Sequence, residues 1–178
     1  MPGLIIAALI VLPIVYYVNV YNDIKRLGLE VDETEGNIDI ALAKRFSVLT
    51  QLFEIAKGYA KHEKETLMNI TEIRKGMSIS KKSDAYQQVE AGFQRIALLA
   101  ENYPELKADQ HFLKLQDAVV DTEEHLSAAR RLYNSNVTQF NQRIQTFPGN
   151  IIGSSMDAHP KSLLQFDPAH LKDVRLND

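Results

Sequence analysis

The sequence predicts an all-α protein in which an N-terminal transmembrane helix is followed by an elongated, antiparallel up-and-down bundle of three to four long helices. Three observations predict this class: an uncharged apolar N-terminus, apolar residues at three- and four-residue spacing, and no strand-like alternation. With 178 residues, the chain is long enough for one domain with its own core. We therefore divide it into an anchor at 1–22, a helical bundle at 23–148 and a C-terminal tail at 149–178.

Composition excludes several classes of protein. The formal net charge of -3 leaves no basic field for nucleic acid, so we expect no nucleic-acid partner. The chain has no cysteine, which excludes disulfides, thiolate nucleophiles and thiolate-bound metals. It also has no glycine-rich phosphate loop, and we expect no cofactor.

The transmembrane helix is predicted from residues 1–22, which carry no charged side chain. Spanning a bilayer takes roughly 20 apolar residues, and tyrosines are favoured at the headgroup level. A cleaved signal peptide would have a basic start and a small-x-small cleavage site, and a buried core helix would be apolar on one stripe only. The side chains predicted to form the anchor are Leu4, Ile5, Ile6, Leu9, Ile10, Val11, Leu12, Ile14, Val15, Tyr16, Tyr17 and Val18.

Two basic residues, Lys25 and Arg26, directly follow the apolar segment. The positive-inside rule then favours a C-terminal domain in the cytoplasm. The sequence therefore predicts a single-pass protein of the cell membrane whose first partner is the lipid bilayer.

Two helical blocks follow the anchor. The first, at about 21–75, is expected to continue the membrane helix, and a break at Gly58 would turn three helices into four. The second, at about 84–103, is expected to end at Pro104. The predicted apolar stripes are Ile38, Leu42, Leu49, Leu52, Ala56, Tyr59, Leu67 and Ile70 in the first block, and Tyr86, Val89, Phe93, Ile96, Leu99 and Tyr103 in the second.

A third block, at about 109–147, has the most regular pattern. Its seven-residue repeat predicts a coiled-coil or bundle seam, interrupted by the polar residues Thr122 and Asn136. At 1.5 Å per residue this helix would be roughly 58 Å long, which favours an elongated bundle. The repeat consists of Phe112, Val119, Leu126, Tyr133, Phe140 and Phe147, with Leu115 and Ala129 at companion positions.

We then tested the sequence for catalytic and metal-binding patterns. The segment HEKET, residues 62–66, resembles a zinc-protease helix, but Thr66 stands where the second histidine ligand is needed. No histidine has a glutamate three residues before it, as ferritin-like di-iron sites require. The acidic run DTEEH, residues 121–125, is typical of a solvated helix face. We therefore predict no catalytic, metal-binding or cofactor-binding residue, and no enzyme.

Six segments along the chain carry a family resemblance. They are NIDIALAKR (37–45), KGYAKHE (57–63), ENYPELKAD (101–109), FLKLQD (112–117), TEEHLSAARRLYN (122–134) and FNQRIQTFPGNII (140–152). In this order they resemble the LemA family, and the resemblance covers about residues 21–152. It implies a bacterial protein with a membrane anchor and a helical bundle, and it implies no reaction.

Taken together, these features predict a membrane-anchored scaffold or adaptor that acts through protein–protein interaction. The alternative is an envelope sensor or signal relay in which Thr122 and Asn136 allow two packings of the bundle. Candidate partners are a second copy of the chain and other membrane proteins, including a membrane metalloprotease, because genes for such enzymes often stand beside those of LemA-like proteins. The candidate interaction surface consists of the family-motif residues Tyr59, His62, Glu63, Asn102, Tyr103 and Pro104.

Overall fold

The computed structural model of the protein describes residues 2–59 and 78–165, with the side chains of these residues except 2–6 and 8. Every regular element within these ranges is an α-helix, and the predicted all-α class is confirmed. The helices are α1 (Pro2–Tyr59), α2 (Ile79–Asn102), α3 (Pro104–Lys107), α4 (Gln110–Gln145) and α5 (Gly149–Ser155).

Helix α1 is continuous from the apolar N-terminus into the first amphipathic block, as predicted, and it passes through Pro13 and Gly58. Its buried stripe includes Ile38, Leu42 and Leu49, each fully buried. Leu67 and Ile70, predicted to extend this stripe, lie outside the described residues.

The predicted transmembrane span is not confirmed. Across the part of the chain that the structure describes, no helix carries a segment both long enough and apolar enough to cross a membrane.

Helix α2 begins at Ile79, ahead of the predicted start near residue 84. Ser78 stands at its N-cap in an extended conformation, without a side-chain cap hydrogen bond. The helix ends at Asn102 as predicted, because Pro104 has no N–H and disfavours a helical conformation at Tyr103 before it. Pro104 instead opens the one-turn helix α3, where its fixed φ suits the first position.

Helix α4 starts where Asp109 caps it, since this carboxylate accepts the backbone N–H groups of His111 (2.7 Å) and Phe112 (3.0 Å). The helix ends at Gln145. The prediction that Phe147 continues the seam is wrong, because this ring lies beyond the helix and is 79% exposed. Part of the predicted tail forms α5, whose Ile152 is buried.

The described residues divide into two compact units. Unit 1 contains residues 2–36 of α1 and residues 131–163. In it α1 and α4 run antiparallel, because Asp23 meets Arg143 (2.8 Å) while Glu30, further along α1, meets Asn136, further back on α4. The core of unit 1 consists of Val20, Ile24, Leu27, Val31, Tyr133, Val137, Phe140, Ile144 and Ile152.

A non-helical segment of unit 1, residues 156–163, is called the strap below. The side chain of Asn141 binds both backbone groups of Lys161 in the strap. Its Nδ2 donates to the Lys161 carbonyl (2.7 Å), and its Oδ1 accepts the Lys161 N–H (2.8 Å). The hydroxyl of Tyr133 donates to the carbonyl of Ser162 (3.0 Å), and the Lys161 ammonium pairs with Asp32. The strap is therefore bonded to side chains of both α1 and α4.

Unit 2 contains residues 37–59 of α1, helices α2 and α3, α4 up to Arg130, and residues 164–165. Its apolar core joins three long helices. The core residues are Val48, Leu49, Leu52, Ala56, Val89, Phe93, Ile96, Leu99, Ala100, Leu106 and Phe112.

Candidate functional site

A buried cation lies between three helices of unit 2. Arg45 of α1 is 1% exposed, and its guanidinium contacts Glu90 of α2 at 2.8 Å and Glu123 of α4 at 2.6 Å. The side chains of Glu90 and Glu123 are 31% and 41% exposed. A buried charge is tolerated only when it is paired, so Arg45 requires both helices to bring their carboxylates to it.

Two aromatic rings complete the surroundings of Arg45. The guanidinium carbon lies 4.9 Å from the ring centre of Phe93 and 5.6 Å from that of Tyr86. Contacts of this geometry are attractive because the ring face is electron-rich. Burial raises the pKa of the Tyr86 hydroxyl, with a further increase from the negative charges of Glu123 and Glu90. Tyr86 therefore stays neutral beside the ion pairs.

A second ion pair also joins α1 to α2. The Lys82 ammonium, fully buried, lies 2.7 Å from a carboxylate oxygen of Asp39, whose side chain is 12% exposed. Together the two cations fix how α1, α2 and α4 face each other, because a shift of one helix would leave a buried charge without its partner.

Each of the two cations is paired with at least one carboxylate from a neighbouring helix. Within α4, the Ser127 hydroxyl donates to the Oε1 of Glu123 at 3.3 Å, while the Oε2 of the same carboxylate contacts Arg45. Residues 2–59 and 78–165 contain no group of three or more histidine, aspartate or glutamate side chains arranged to hold a metal ion. We call the five paired residues, Arg45, Glu90, Glu123, Lys82 and Asp39, the charge lock, because their ion pairs fix the positions of α1, α2 and α4 in unit 2.

An open groove of about 320 Å³ lies on unit 2 beside this lock. Its apolar lining includes Phe93, which also contacts Arg45, and its polar positions are Glu90, Gln94 and Gln116. Apolar grooves with a few polar groups are the usual shape of binding sites. The apolar lining residues are Leu52, Phe93, Ile96, Ala97, Phe112 and Val119.

Four of the six residues of the predicted family-motif surface lie within the described residues. The Tyr59 hydroxyl donates to Asp109 (3.0 Å), and Tyr59 and Tyr103 both pack against the core of unit 2. Asn102 is the exposed last residue of α2 and Pro104 the exposed first residue of α3. His62 and Glu63 lie outside the described residues.

Asp109 connects this surface to the start of α4. The N–H of Phe112, followed by the hydroxyl of Tyr59 and the N–H of His111, holds the pKa of the Asp109 carboxyl below its usual range. The hydrogen bond that the Tyr59 hydroxyl donates to Asp109 also raises the pKa of Tyr59. Asp109 and His111 also line a second groove of about 510 Å³ between α1 and α4 of unit 2. The Asp109 carboxylate therefore caps the start of α4 and also lies at the edge of this second groove.

The predicted anchor residues are exposed where their side chains are described. Leu9 to Leu12 are 54–68% exposed and Ile14 to Val18 are 45–57% exposed, on all sides of α1. The side chains of Leu4, Ile5 and Ile6 lie outside the described set. From Leu9 to Val18 the apolar side chains of α1 are thus largely uncovered, although the Tyr17 hydroxyl lies 3.4 Å from the hydroxyl of Ser155.

The buried ion pairs of the charge lock were not predicted from the sequence. The run DTEEH was interpreted as a solvated face, whereas its Glu123 pairs with Arg45. A signal was present, because Arg45 stands on the apolar stripe three residues after Leu42 and four before Leu49. A charged residue on a buried stripe indicates a partner, but the spacing does not say where that partner lies in the chain.

The fold and its sites define a class of protein: a helical bundle with an internally paired charge lock, open grooves and an exposed apolar N-terminal helix. The model of the LemA family matches residues 34–177, and the chain belongs to the LemA family. It is similar to Protein LemA of Metamycoplasma hominis, with 28% identity over 163 residues that cover 89% of this chain and 74% of that protein. LemA proteins are generally associated with membranes. Three of the five lock residues lie in segments that resemble the family, Asp39 and Arg45 in 37–45 and Glu123 in 122–134, whereas Lys82 and Glu90 lie outside them.

Proposed function

We propose that this protein is a membrane-anchored helical scaffold, without catalytic activity, that binds another protein through the groove on unit 2. The observation that carries the proposal is the groove itself, which is open, apolar at its base and bordered by glutamine side chains. The paired charges around Arg45 support a binding role, because they hold α1, α2 and α4 in one arrangement before a partner arrives.

The groove also indicates the chemistry of the partner. Ala97 and Val119 offer apolar surface to a partner's side chain, while Gln94 and Gln116 offer hydrogen bonds to a backbone or polar group. This combination suits an amphipathic helix or an apolar loop of another membrane protein. A membrane metalloprotease and a second copy of this chain are the candidate partners.

Membrane attachment is the second part of the proposal. The first 22 residues carry no charged side chain, and Leu9 to Val18 are exposed around α1, which suits insertion into lipid as a single-pass anchor. The orientation with unit 2 in the cytoplasm rests on Lys25 and Arg26. Arg26 is paired with Asp23 (2.6 Å) and Glu30 (2.8 Å), so Lys25 supplies most of the unpaired positive charge at this boundary.

The test is in-cell crosslinking of the tagged full-length chain, followed by mass spectrometry, with two matched variants. Ala97→Arg places a long charged side chain in the groove, whereas Ala91→Arg makes the same change at an exposed position of α2 outside the groove lining. A loss of about 1.4 kcal/mol of binding free energy would reduce partner capture about tenfold. We expect this reduction for Ala97→Arg only. Equal capture by both variants would remove the groove from the proposal.

A signal relay is the alternative function, and it is favoured by the unbroken course of α1 from Pro2 to Tyr59. Asn136 is the position to test, because its Nδ2 donates to the carbonyl of Glu30 on α1 at 3.3 Å, a long hydrogen bond. Asn136→Leu should change a membrane-stress phenotype if two packings of the helices matter. An Asn136→Leu strain with raised protein stability and an unchanged phenotype would argue for the scaffold.

A further inference from the structure

The turn between α4 and α5 exposes two large apolar side chains of unit 1. Phe147 is 79% exposed and Ile151 is 62% exposed. On the other side of α5, Ile152 is buried, and Gly153 packs so closely on Ile144 that a Cβ added there would lie 3.3 Å from the Ile144 Cβ. The short helix is therefore held against unit 1 by one side and leaves Phe147 and Ile151 uncovered.

Two contacts within unit 1 show which part of α1 lies next to this turn. Arg143 pairs with Asp23 at 2.8 Å, and on the N-terminal side of that pair Ser155 lies within hydrogen-bond distance of the Tyr17 hydroxyl at 3.4 Å. At 1.5 Å per residue, the six residues from Asp23 back to Tyr17 cover about 9 Å of α1. The turn and α5 thus lie beside the tyrosines at the end of the apolar segment of α1.

The outermost charged side chains of α1 and α4 in unit 1 lie next to each other. On α1 the first charged side chain is Asp23, and on α4 the last before the turn is Arg143, the two that pair with each other. Residues 1–22 on one side and 144–156 on the other carry no charged side chain. The ion pair therefore marks the point beyond which α1, the turn and α5 carry only uncharged side chains, and charge returns at Asp157 after α5.

The polar side chains of the turn and α5 satisfy themselves locally. The hydroxyl groups of Thr146, Ser154 and Ser155 donate to backbone carbonyls three or four residues earlier, at 2.9, 2.8 and 2.7 Å. The Asn150 side chain accepts the N–H of Ile151 at 3.0 Å. Hydrogen bonds of this kind spare polar groups the cost of leaving water.

We infer, resting on the membrane attachment proposed above, that the α4–α5 turn is a second membrane contact, in which Phe147 and Ile151 enter the boundary between headgroups and acyl chains. Aromatic and apolar side chains next to uncharged polar groups are the residues that favour this layer. With two contacts at the lipid surface, unit 1 is fixed in its tilt and rotation about α1, which a single helix would leave free. A second copy of the chain is the competing occupant of this surface.

The test uses single-cysteine variants of the full-length chain, which has no cysteine of its own. Phe147→Cys and Ile151→Cys are labelled with a polarity-sensitive fluorophore in phosphatidylcholine vesicles that contain doxyl-labelled lipid. Leu12→Cys reports on the anchor, and Leu132→Cys, at a 52% exposed position of α4, reports on solvent. We expect labels at 147 and 151 to be quenched several-fold more by lipid with a doxyl group near the headgroup than the label at 132.

Three other outcomes would overturn the inference in different ways. In the first, the labels at 147 and 151 are quenched only by aqueous iodide, and the label at 12 is quenched by lipid. This result would place the turn in water and leave the proposed membrane anchor supported. No lipid quenching at 12 would remove the anchor and this inference with it. A disulfide between copies at position 151 without lipid quenching would assign the surface to a second copy.

Discussion

Removal of Arg45 should harm this protein less than removal of its two carboxylate partners. In Arg45→Met, the carboxylates of Glu90 and Glu123 are left behind, and at 31% and 41% exposure they can be hydrated. In the double variant Glu90→Gln, Glu123→Gln, the charge left behind is a guanidinium that is 1% exposed. The two changes break the same contacts but leave charges in different surroundings.

The magnitudes follow from these surroundings. Charges about 4 Å apart at an effective dielectric constant of about 20 attract each other by about 4 kcal/mol, before the cost of their burial. Loss of both partners should therefore destabilise the protein by about 3–5 kcal/mol, the range for an uncompensated buried charge. Arg45→Met keeps much of the aliphatic packing and should cost about 1 kcal/mol.

The assay is urea unfolding of the full-length protein in detergent micelles, followed by far-UV circular dichroism. Glu30→Gln is the matched control, since it removes a carboxylate at 2.8 Å from Arg26, an arginine whose side chain is 62% exposed. We expect this control to leave the urea midpoint unchanged. If Arg45→Met were as destabilising as the double glutamine variant, burial of the cation would not govern the stability of unit 2.

Three further predictions concern helix packing and pH. Gly36→Ala should raise the free energy of unfolding by about 0.5–1 kcal/mol, because the helix gains propensity and the new Cβ meets nothing within 4 Å; thermal unfolding measures it, and a lowered melting temperature would contradict it. Gly149→Ala should instead destabilise the protein strongly in the same assay, because its Cβ would collide with the carbonyl of Arg143, and an unchanged melting temperature would refute this close approach. Burial raises the pKa of Tyr133 to about 12, with a further increase from acidic neighbours. The unfolded chain then loses this proton first, so stability should be fully present below about pH 10 and fall as the pH rises towards 12; Tyr133→Phe should show a smaller alkaline loss in a pH series of urea midpoints, and an identical loss would count against the assignment.

Local patterns predicted the helices well where each pattern stays within one helix. The stripe through Leu42, Leu49 and Leu52 is buried as predicted, and Pro104 separates α2 from the next helix. The seven-residue repeat failed at Phe147 because it carries no information about where the helix ends. α4 stops at Gln145, and a ring two residues later no longer shares its face.

The candidate site was harder to predict because its contacts join distant parts of the chain. Arg45 and Lys82 were not identified as buried, since the pattern of apolar residues describes one helix at a time and gives no partner for a charge on the stripe. Thr122 was predicted as a polar interruption of the seam, and it is buried with its hydroxyl bonded to the carbonyl of Val119 in its own helix. The interface that such a residue faces follows only from the packed structure.

The strap has a consequence for proteolysis. A protease such as trypsin needs the backbone on both sides of a lysine free to adopt an extended form in its cleft. At Lys161 both backbone groups are bonded to Asn141, the next carbonyl is bonded to Tyr133, and the ammonium that trypsin would bind is paired with Asp32. Cleavage after Lys161 therefore requires the strap to detach first, so the rate of cleavage at this bond reports how often the strap leaves Asn141, Tyr133 and Asp32.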